Sequence, residues 1–183
     1  MYWELAGKHN TEKTLQVVKN TIEERGIKHV VVATTEGNTG KLFKDARLGV
    51  NLVCVTHVAG FKVPGEIQVP EAMRQELIAA GVKVLTTTHA LSGVERGISR
   101  KASGMYPAEI MANTLRMLGQ GTKVCAEIAV MALDAGLIPY GEDIIAVGGT
   151  NEGADTAVII RPANASDVFG TWISEILCKP AGK

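Results

Sequence analysis

Apolar and polar positions along the chain follow two alternating periods. From Thr11 to Arg25, Leu15, Val18 and Ile22 recur at helical spacing, Lys13, Gln16, Lys19 and Glu23 fall elsewhere, and Gly26 supplies a left-handed stop. This predicts an amphipathic outer helix. The next stretch, His29 to Thr34, is nearly all β-branched and apolar, as expected of a strand covered on both faces in a parallel sheet. The unit then recurs: a short helix after Thr39, a strand over Val50–Thr56, a helix over Pro70–Ala80 and a strand over Val82–Thr87. Pro70 stands in the first turn of that second long helix, and Gly81 lies just past its end.

The pattern changes at "HALSGVERGISRKASG", His89 to Gly104, which predicts a loop. Helical periodicity returns over Pro107–Leu118 and from about Thr122 to Asp134, with "GQG" at Gly119 to Gly121 as the break. A fourth strand, Asp143–Gly149, leaves through "TNEG" into a fifth, Ala154–Arg161. Parallel neighbours need a crossover of about a dozen residues, and this link is roughly half that, so the fifth strand is expected to run antiparallel. A final helix is predicted from Ser166 to about Leu177, capped by Ser166 with Asp167 beside it, and burying Val168, Trp172, Ile173 and Ile176.

Right-handed crossovers carry the first three strands outward in one direction, and the long helical excursion brings the fourth back beside the first. The expected fold is therefore α/β and three-layered, with a mostly parallel five-stranded sheet in the order 3-2-1-4-5 and strand five antiparallel. Open sheets of this kind bind ligands beyond the carboxyl ends of their strands where the strand order reverses, here between strands one and four.

Composition narrows the function classes. With 183 residues, 46% of them hydrophobic, the chain can bury one substantial core, and residues 1–183 are expected to form one domain. Lys and Arg number 19 against 19 Asp and Glu, which argues against nucleic acid or an anionic membrane as partner, so any anion site must be local. "MYWELAGKHN" carries charges and no continuous apolar run, so neither a signal peptide nor a membrane span is expected and a cytoplasmic location follows. Cys54, Cys125 and Cys178 sit in apolar surroundings without CxxC spacing and are expected to be buried thiols.

Two turns meet at the expected reversal: "TTEGNTG", Thr34 to Gly40, and "GGTNEGAD", Gly148 to Asp155. Glycines let the backbone approach a ligand, hydroxyls add neutral donors, and a helix starting near Thr39 or Gly40 offers free amides at the positive end of its dipole. The spacing matches neither a Walker loop nor a dinucleotide fingerprint, because Thr35, Thr39 and Leu42 stand at positions those motifs reserve for other residues. A phosphate cradle and an ordinary glycine-assisted strand-to-helix turn both remain open on spacing alone.

Individual side chains at this edge carry double readings. His57 and His89 follow the second and third strands and can line a ligand, move protons or simply hold structure; no third ligand stands nearby, so no metal is expected. Arg96, Arg100 and Lys101 fit a lid over an anion or a solvated loop. Phe61 and Tyr106 can cover a flat ring or pack in the core. Glu36 and Asp155 stand in loops where a general acid or base can be placed, but neither is singled out, and the catalytic residues stay unknown. The candidate cofactor-binding set is Thr34, Thr35, Gly37, Asn38, Thr39 and Gly40 of the first turn; Thr56, His57, Gly60 and Phe61 after the second strand; His89, Ser92 and Gly93 after the third; and Gly149, Thr150 and Asn151 of the second turn.

"ATTEGNTGKLF" followed by an apolar strand ending in "VCVT" resembles the C-terminal α/β domain of pyruvate kinase, where a strand leads into a T-x-S/T-G-x-T-A turn that opens a helix. Thr34, Gly37 and Thr39 match; Glu36, Asn38 and Gly40 depart, and Glu36 would repel phosphate if it pointed inward. "THVAGF", "HALSGVERGIS", "EIMANTLRML", "KVCAEIAVMALDAGLIP" and "GGTNEGADTA" are similar to segments of a family of small stand-alone proteins with the pyruvate kinase C-terminal-like fold. The resemblance implies a bound phosphorylated small molecule, with FMN as the implied cofactor. It implies no pyruvate kinase activity, since the barrel of that enzyme has no counterpart in so short a chain. A flavin-dependent oxidoreductase or other enzyme on a phosphorylated metabolite, using His57 or His89, is the alternative expectation. A ligand-free regulatory module acting as a homo-oligomer is the third.

Overall fold

A computed structural model describes residues 1–182. Its strands are β1 (Tyr2–Trp3), β2 (His29–Ala33), β3 (Asn51–Val55), β4 (Lys83–Leu85), β5 (Ile144–Gly148), β6 (Thr156–Arg161) and β7 (Trp172–Pro180). The helices are α1 (Thr11–Arg25), α2 (Asn38–Asp45), α3 (Glu71–Ala79), α4 (Gly93–Ala102), α5 (Pro107–Arg116) and α6 (Gln120–Asp134).

The central strands that the apolar pattern identifies, β2, β3 and β5, pair in register and bury both of their faces. Val30 and Val32 of β2 face one helical layer and Val31 faces the other; Leu52 and Cys54 against Val53 in β3, and Ile145 and Val147 against Ile144 and Ala146 in β5, divide the same way. On one side lie Val18 of α1, Phe43 of α2 and Leu77 of α3. The other is filled mainly by α6, with Cys125, Ile128, Ala129 and Met131 against the sheet and Leu115 of α5 behind them. The result is the three-layer α/β arrangement.

The sheet runs β1-β7-β6-β5-β2-β3-β4. β2 pairs in parallel with β3 and β5, β3 in parallel with β4, and β6 runs antiparallel to β5. The five expected strands thus stand in their expected mutual order, but the sheet has seven strands rather than five. Beyond β6, β7 adds an antiparallel strand and β1 pairs in parallel with its far side.

β7 replaces the final helix expected over Ser166–Leu177, where only a short 3-10 segment, Ala165–Gly170, precedes the strand. The physical reason is two register shifts in its pairing with β6, one of which separates Ile173 from Ile176 along the ladder. An extra residue lets side chains three apart point to the same face. Ile173 and Ile176 accordingly both pack on the α6 side, while Leu177 and Cys178 pack on the other. That spacing imitates a helix. Trp172, expected to be buried, is 67% exposed.

The loop expected over His89–Gly104 contains α4, whose two apolar residues at helical spacing, Val94 and Ile98, both stay exposed between the glycines Gly93, Gly97 and Gly104 that suggested a loop. The break expected at "GQG" instead covers Met117–Gly119: Gly119 precedes α6, and Gly121 lies inside it. A Cβ on Gly121 would collide with the Thr156 side chain, and a Cβ on Gly148 would lie 2.7 Å from the Gly121 carbonyl oxygen. These glycines let the helix sit directly on β5 and β6.

Adding a methyl at Gly121 is expected to destabilise the fold by at least about 1–3 kcal/mol, the usual range for overpacking a filled core. Gly97→Ala is the matched control: that glycine is exposed inside α4 with open space around it, so Ala there is expected to be neutral or stabilising by up to about 1 kcal/mol. Urea denaturation of the two variants checks both signs; equal midpoints would refute the close-packing account.

Candidate functional site

β2 and β5 are parallel neighbours; β2 leads into α2, and β5 leads into the β5–β6 turn, which packs on the start of α1. A cavity of about 680 Å³ opens between them at the carboxyl edge of the sheet, within the range of small-molecule sites. Its floor includes Ala33, Val55, Ile128 and Met131, and its walls carry polar groups from both layers.

The first turn supplies one wall. Thr34 is buried, its amide bonded to the Val55 carbonyl at 2.9 Å, and its hydroxyl accepts the Gly40 amide at 3.3 Å. The Lys41 amide donates to the Gly37 carbonyl at 2.8 Å. Among the described residues this leaves the Asn38 and Thr39 amides without a protein acceptor, at the positive end of α2. Thr34, Thr35, Asn38 and Thr39 all line the cavity.

Gly37 and Gly40 do not line it. Gly37 has φ 95° and its Cα faces Met73 and Val69 of the α3 side, and a Cβ on Gly40 would lie 2.8 Å from Cys54 Sγ. Both are packing glycines.

The ends of β3 and β4 supply an aromatic wall. His57 and Phe61 stack with ring centroids 3.9 Å apart, and His89 lies 5.6 Å from His57 and 5.8 Å from Phe61. His57 Nδ1 donates to Gln68 Oε1 at 2.6 Å, and His89 Nε2 accepts the Val58 amide at 3.3 Å, which puts the proton of a neutral His89 on Nδ1. Thr56 shares a hydroxyl bond of 2.7 Å with Thr86, and Thr56 and Ser92 also reach the cavity. Gly60 and Gly93 shape the adjoining turns at positive φ without lining it. Tyr106 is not in the lining either; it precedes Pro107 at the start of α5.

The second turn contributes Gly149 and Asn151 to the lining, while its Thr150 and Asp155 amides bond within the turn. Asp155 is fully buried; Oδ2 accepts the Gly7 amide at 2.9 Å and the Thr150 amide at 3.1 Å, and Oδ1 accepts the Thr156 hydroxyl at 2.7 Å. Thr150 thus serves the turn rather than the cavity, and Asp155 is a structural carboxylate rather than a general acid or base.

The third wall, from α4, α5 and α6, is the part that sequence reasoning largely missed. Arg96 of α4 lines the cavity, while Arg100 and Lys101 do not. Arg116 of α5 joins it, bonding Gln120 Oε1 at 2.9 Å and Asn113 Oδ1 at 2.8 Å. Among the described residues neither guanidinium has a carboxylate partner. Lys123 and Glu127 of α6 form a buried ion pair, and Glu127 Oε1 also accepts the Leu91 amide at 2.9 Å. Burial pushes the Lys123 ammonium below its ordinary range against the opposing pull of Glu127. Two charges one helical turn apart in the otherwise apolar "KVCAEIAVMAL" were the available signal. At the rim, Lys62 lies 4.0 Å from Glu36 and Lys8 lies 3.4 Å from Glu152. Such exposed pairs are worth about 1 kcal/mol or less, yet the first offsets the charge with which Glu36 would repel an anion.

Fold and cavity together define an open α/β domain with a ligand-type cleft where its strand order reverses. The chain matches the family model described as pyruvate kinase, alpha/beta domain, over residues 12–160, and it belongs to that family. It is similar to a solved pyruvate kinase from Cryptosporidium parvum at 17% identity and a TM-score of 0.42, covering 81% of this chain and 22% of that one. A second structure of that enzyme gives 17% and 0.41, and a complex with ADP gives 18% and 0.42, with the same coverage. The chain therefore spans about a fifth of the length of these enzymes. Among the described residues, no helix is long and apolar enough to cross a membrane, and no group of three or more His, Cys, Asp or Glu could hold a metal ion.

Burial holds the His89 imidazolium below the ordinary histidine value of 6.5, with Glu127 opposing and His57, Lys123 and Arg96 reinforcing the shift. The unfolded chain then binds this proton more readily than the folded one, so the stability tied to neutral His89 is full above about pH 6.5 and falls as pH drops toward the lower folded value. The His89 ring resonance is expected to titrate below 6.5 by NMR, and His89→Gln should flatten the decline of Tm between pH 7 and 5. An unshifted midpoint would rule this out.

Proposed function

We propose that this chain binds a phosphorylated small molecule carrying a flat ring, with FMN as the candidate, in the cavity between β2 and β5. One juxtaposition supports the reading: free amides at the start of α2 and the carboxylate-free guanidiniums of Arg96 and Arg116 line the same cavity as the His57–Phe61 stack. Helix-terminal amides and guanidiniums favour phosphate oxygens, and a stacked aromatic pair offers a surface to a planar ring. The cavity is large enough for both halves of such a ligand.

A catalytic version of the same reading assigns His57 the proton-transfer role, because Nδ1 is held by Gln68 and its ring borders the cavity. It predicts that bound flavin is reduced by a nicotinamide cofactor. A carrier or sensor would hold the flavin without that reaction.

The absorbance spectrum of freshly purified protein, FMN fluorescence titration and thermal shift with inorganic phosphate test the proposal together. Flavin bands or quenching are expected, as is a rise in Tm with phosphate. Arg96→Ala and Arg116→Ala are each expected to weaken binding about tenfold or more, since a hydrogen bond to a charged group contributes about 1.5–3 kcal/mol. No bands, no quenching and no phosphate shift would sink it.

A further inference from the structure

α6 is the most deeply buried helix of the molecule, and Lys123 and Glu127 are its charged residues within the buried run. Both side chains are 6% exposed, and Nζ of Lys123 donates to Oε2 of Glu127. A buried pair of this kind is weak evidence for stability, because an apolar pair of similar volume usually does as well or better. Its position is more informative. Both residues line the cavity, beside Arg96 and Arg116, and Glu127 is fixed by the Leu91 amide so that one carboxylate oxygen faces the amine.

That arrangement contains what a nucleophilic amine needs: a cavity to receive an electrophile, a carboxylate within proton-transfer distance, and cations that both attract an anionic ligand and disfavour a third positive charge. Burial, Arg116 and Arg96 all act to release the Lys123 proton, the conditions under which a lysine becomes reactive near neutral pH.

We propose that Lys123 captures the carbonyl carbon of a phosphorylated aldehyde or ketone bound in this cavity, forming an imine. This rests on the anion-binding reading of the cavity and not on FMN. Glu127 takes one proton from the Lys123 ammonium, the free Nζ lone pair attacks the carbonyl carbon as the C=O π electrons move to oxygen, and a proton passes from the attacking nitrogen to that oxygen to give the neutral carbinolamine. The carbinolamine hydroxyl then leaves as water, taking up the proton that Glu127 held, and the nitrogen lone pair closes the C=N bond. The balance is one ammonium and one carbonyl giving one protonated imine and one water, with no oxidant or reductant.

Pyridoxal 5′-phosphate with cyanoborohydride, followed by peptide mass mapping, tests this on the unaltered chain. Lys123 is expected to be labelled at least about tenfold faster than the exposed Lys13 and Lys19, in keeping with assistance by a positioned base, and inorganic phosphate should slow that labelling. Label confined to exposed lysines overturns the proposal, even if phosphate raises the Tm and so upholds the anion site. Glycolaldehyde, which has no phosphate, separates the two ideas from the other side. Preferential labelling of Lys123 by glycolaldehyde with no protection by phosphate upholds the amine chemistry and removes the anion site. Glu127→Gln keeps a hydrogen-bond acceptor but loses the base, so Lys123 labelling should slow by roughly tenfold or more; an unchanged rate at every pH would take Glu127 out of the mechanism.

Discussion

The approach of α6 to the sheet at Gly121, Gly148 and Thr156 governs where the cavity can be and what lines it. No side chain separates the first turn of this helix from β5 and β6, because neither glycine has room for a Cβ. The helix therefore begins at the carboxyl ends of the central strands instead of standing off by the width of a side chain. From that starting point Gln120, Lys123, Val124 and Glu127 reach the crevice, and Cys125, Ile128 and Ala129 fill the space beneath it. Packing and chemistry thus come from the same helix, and a displacement that loosened one would open the other.

The opposite side of the cavity is held by a different device. Asp155 gathers the Gly7 and Thr150 amides and the Thr156 hydroxyl, and its own carbonyl accepts the Trp3 indole at 2.8 Å. A carboxylate without exposure has to be compensated in this way, since leaving it unpaired would cost several kcal/mol. One result is that the N-terminal segment crosses the β5–β6 turn and carries Lys8 and Thr11 to the rim. Another is that the Asp155 carboxylate is fully engaged by the turn and the N-terminal segment rather than turned to the cavity. The two glycine-rich turns, so alike in composition, are therefore not equivalent: the first opens a helix, α2, toward the cavity, and the second is organised around the buried Asp155.

What was legible in the sequence follows from how local each signal is. Runs such as Val30–Val32 can only be strands buried on both sides, and the short link between β5 and β6 forces antiparallel pairing, so the central five strands could be ordered from the chain alone. β7 was hidden because its bulged ladder places Ile173 and Ile176 on one face at a helical interval. α4 was hidden for the opposite reason, having no buried face at all. At the site, Thr34, Thr39, His57 and His89 were visible because they lie within a few residues of the carboxyl ends of β2, β3 and β4. Arg116 and Lys123 were not, since their relevance depends on two helices folding back over a strand edge far away in sequence. Gly37 and Gly40 show how composition understates packing: their lack of a Cβ is needed for the close approach of α3 and Cys54.

Electrostatics ties these parts together. The chain carries no net charge, and in physiological salt the field of an exposed charge fades over about 8–10 Å, so the protein as a whole exerts little pull on an anion. Within the cavity the balance differs: Arg96, Arg116 and Lys123 face it with Glu127 as the one acid of that wall, and low-dielectric surroundings preserve their influence. An extended polyanion would need a continuous positive track on the surface, whereas these cations converge on an enclosed volume. The proposed binding of a small anion and the proposed reaction at Lys123 both rest on this convergence of cations on one cavity rather than on the net charge of the chain.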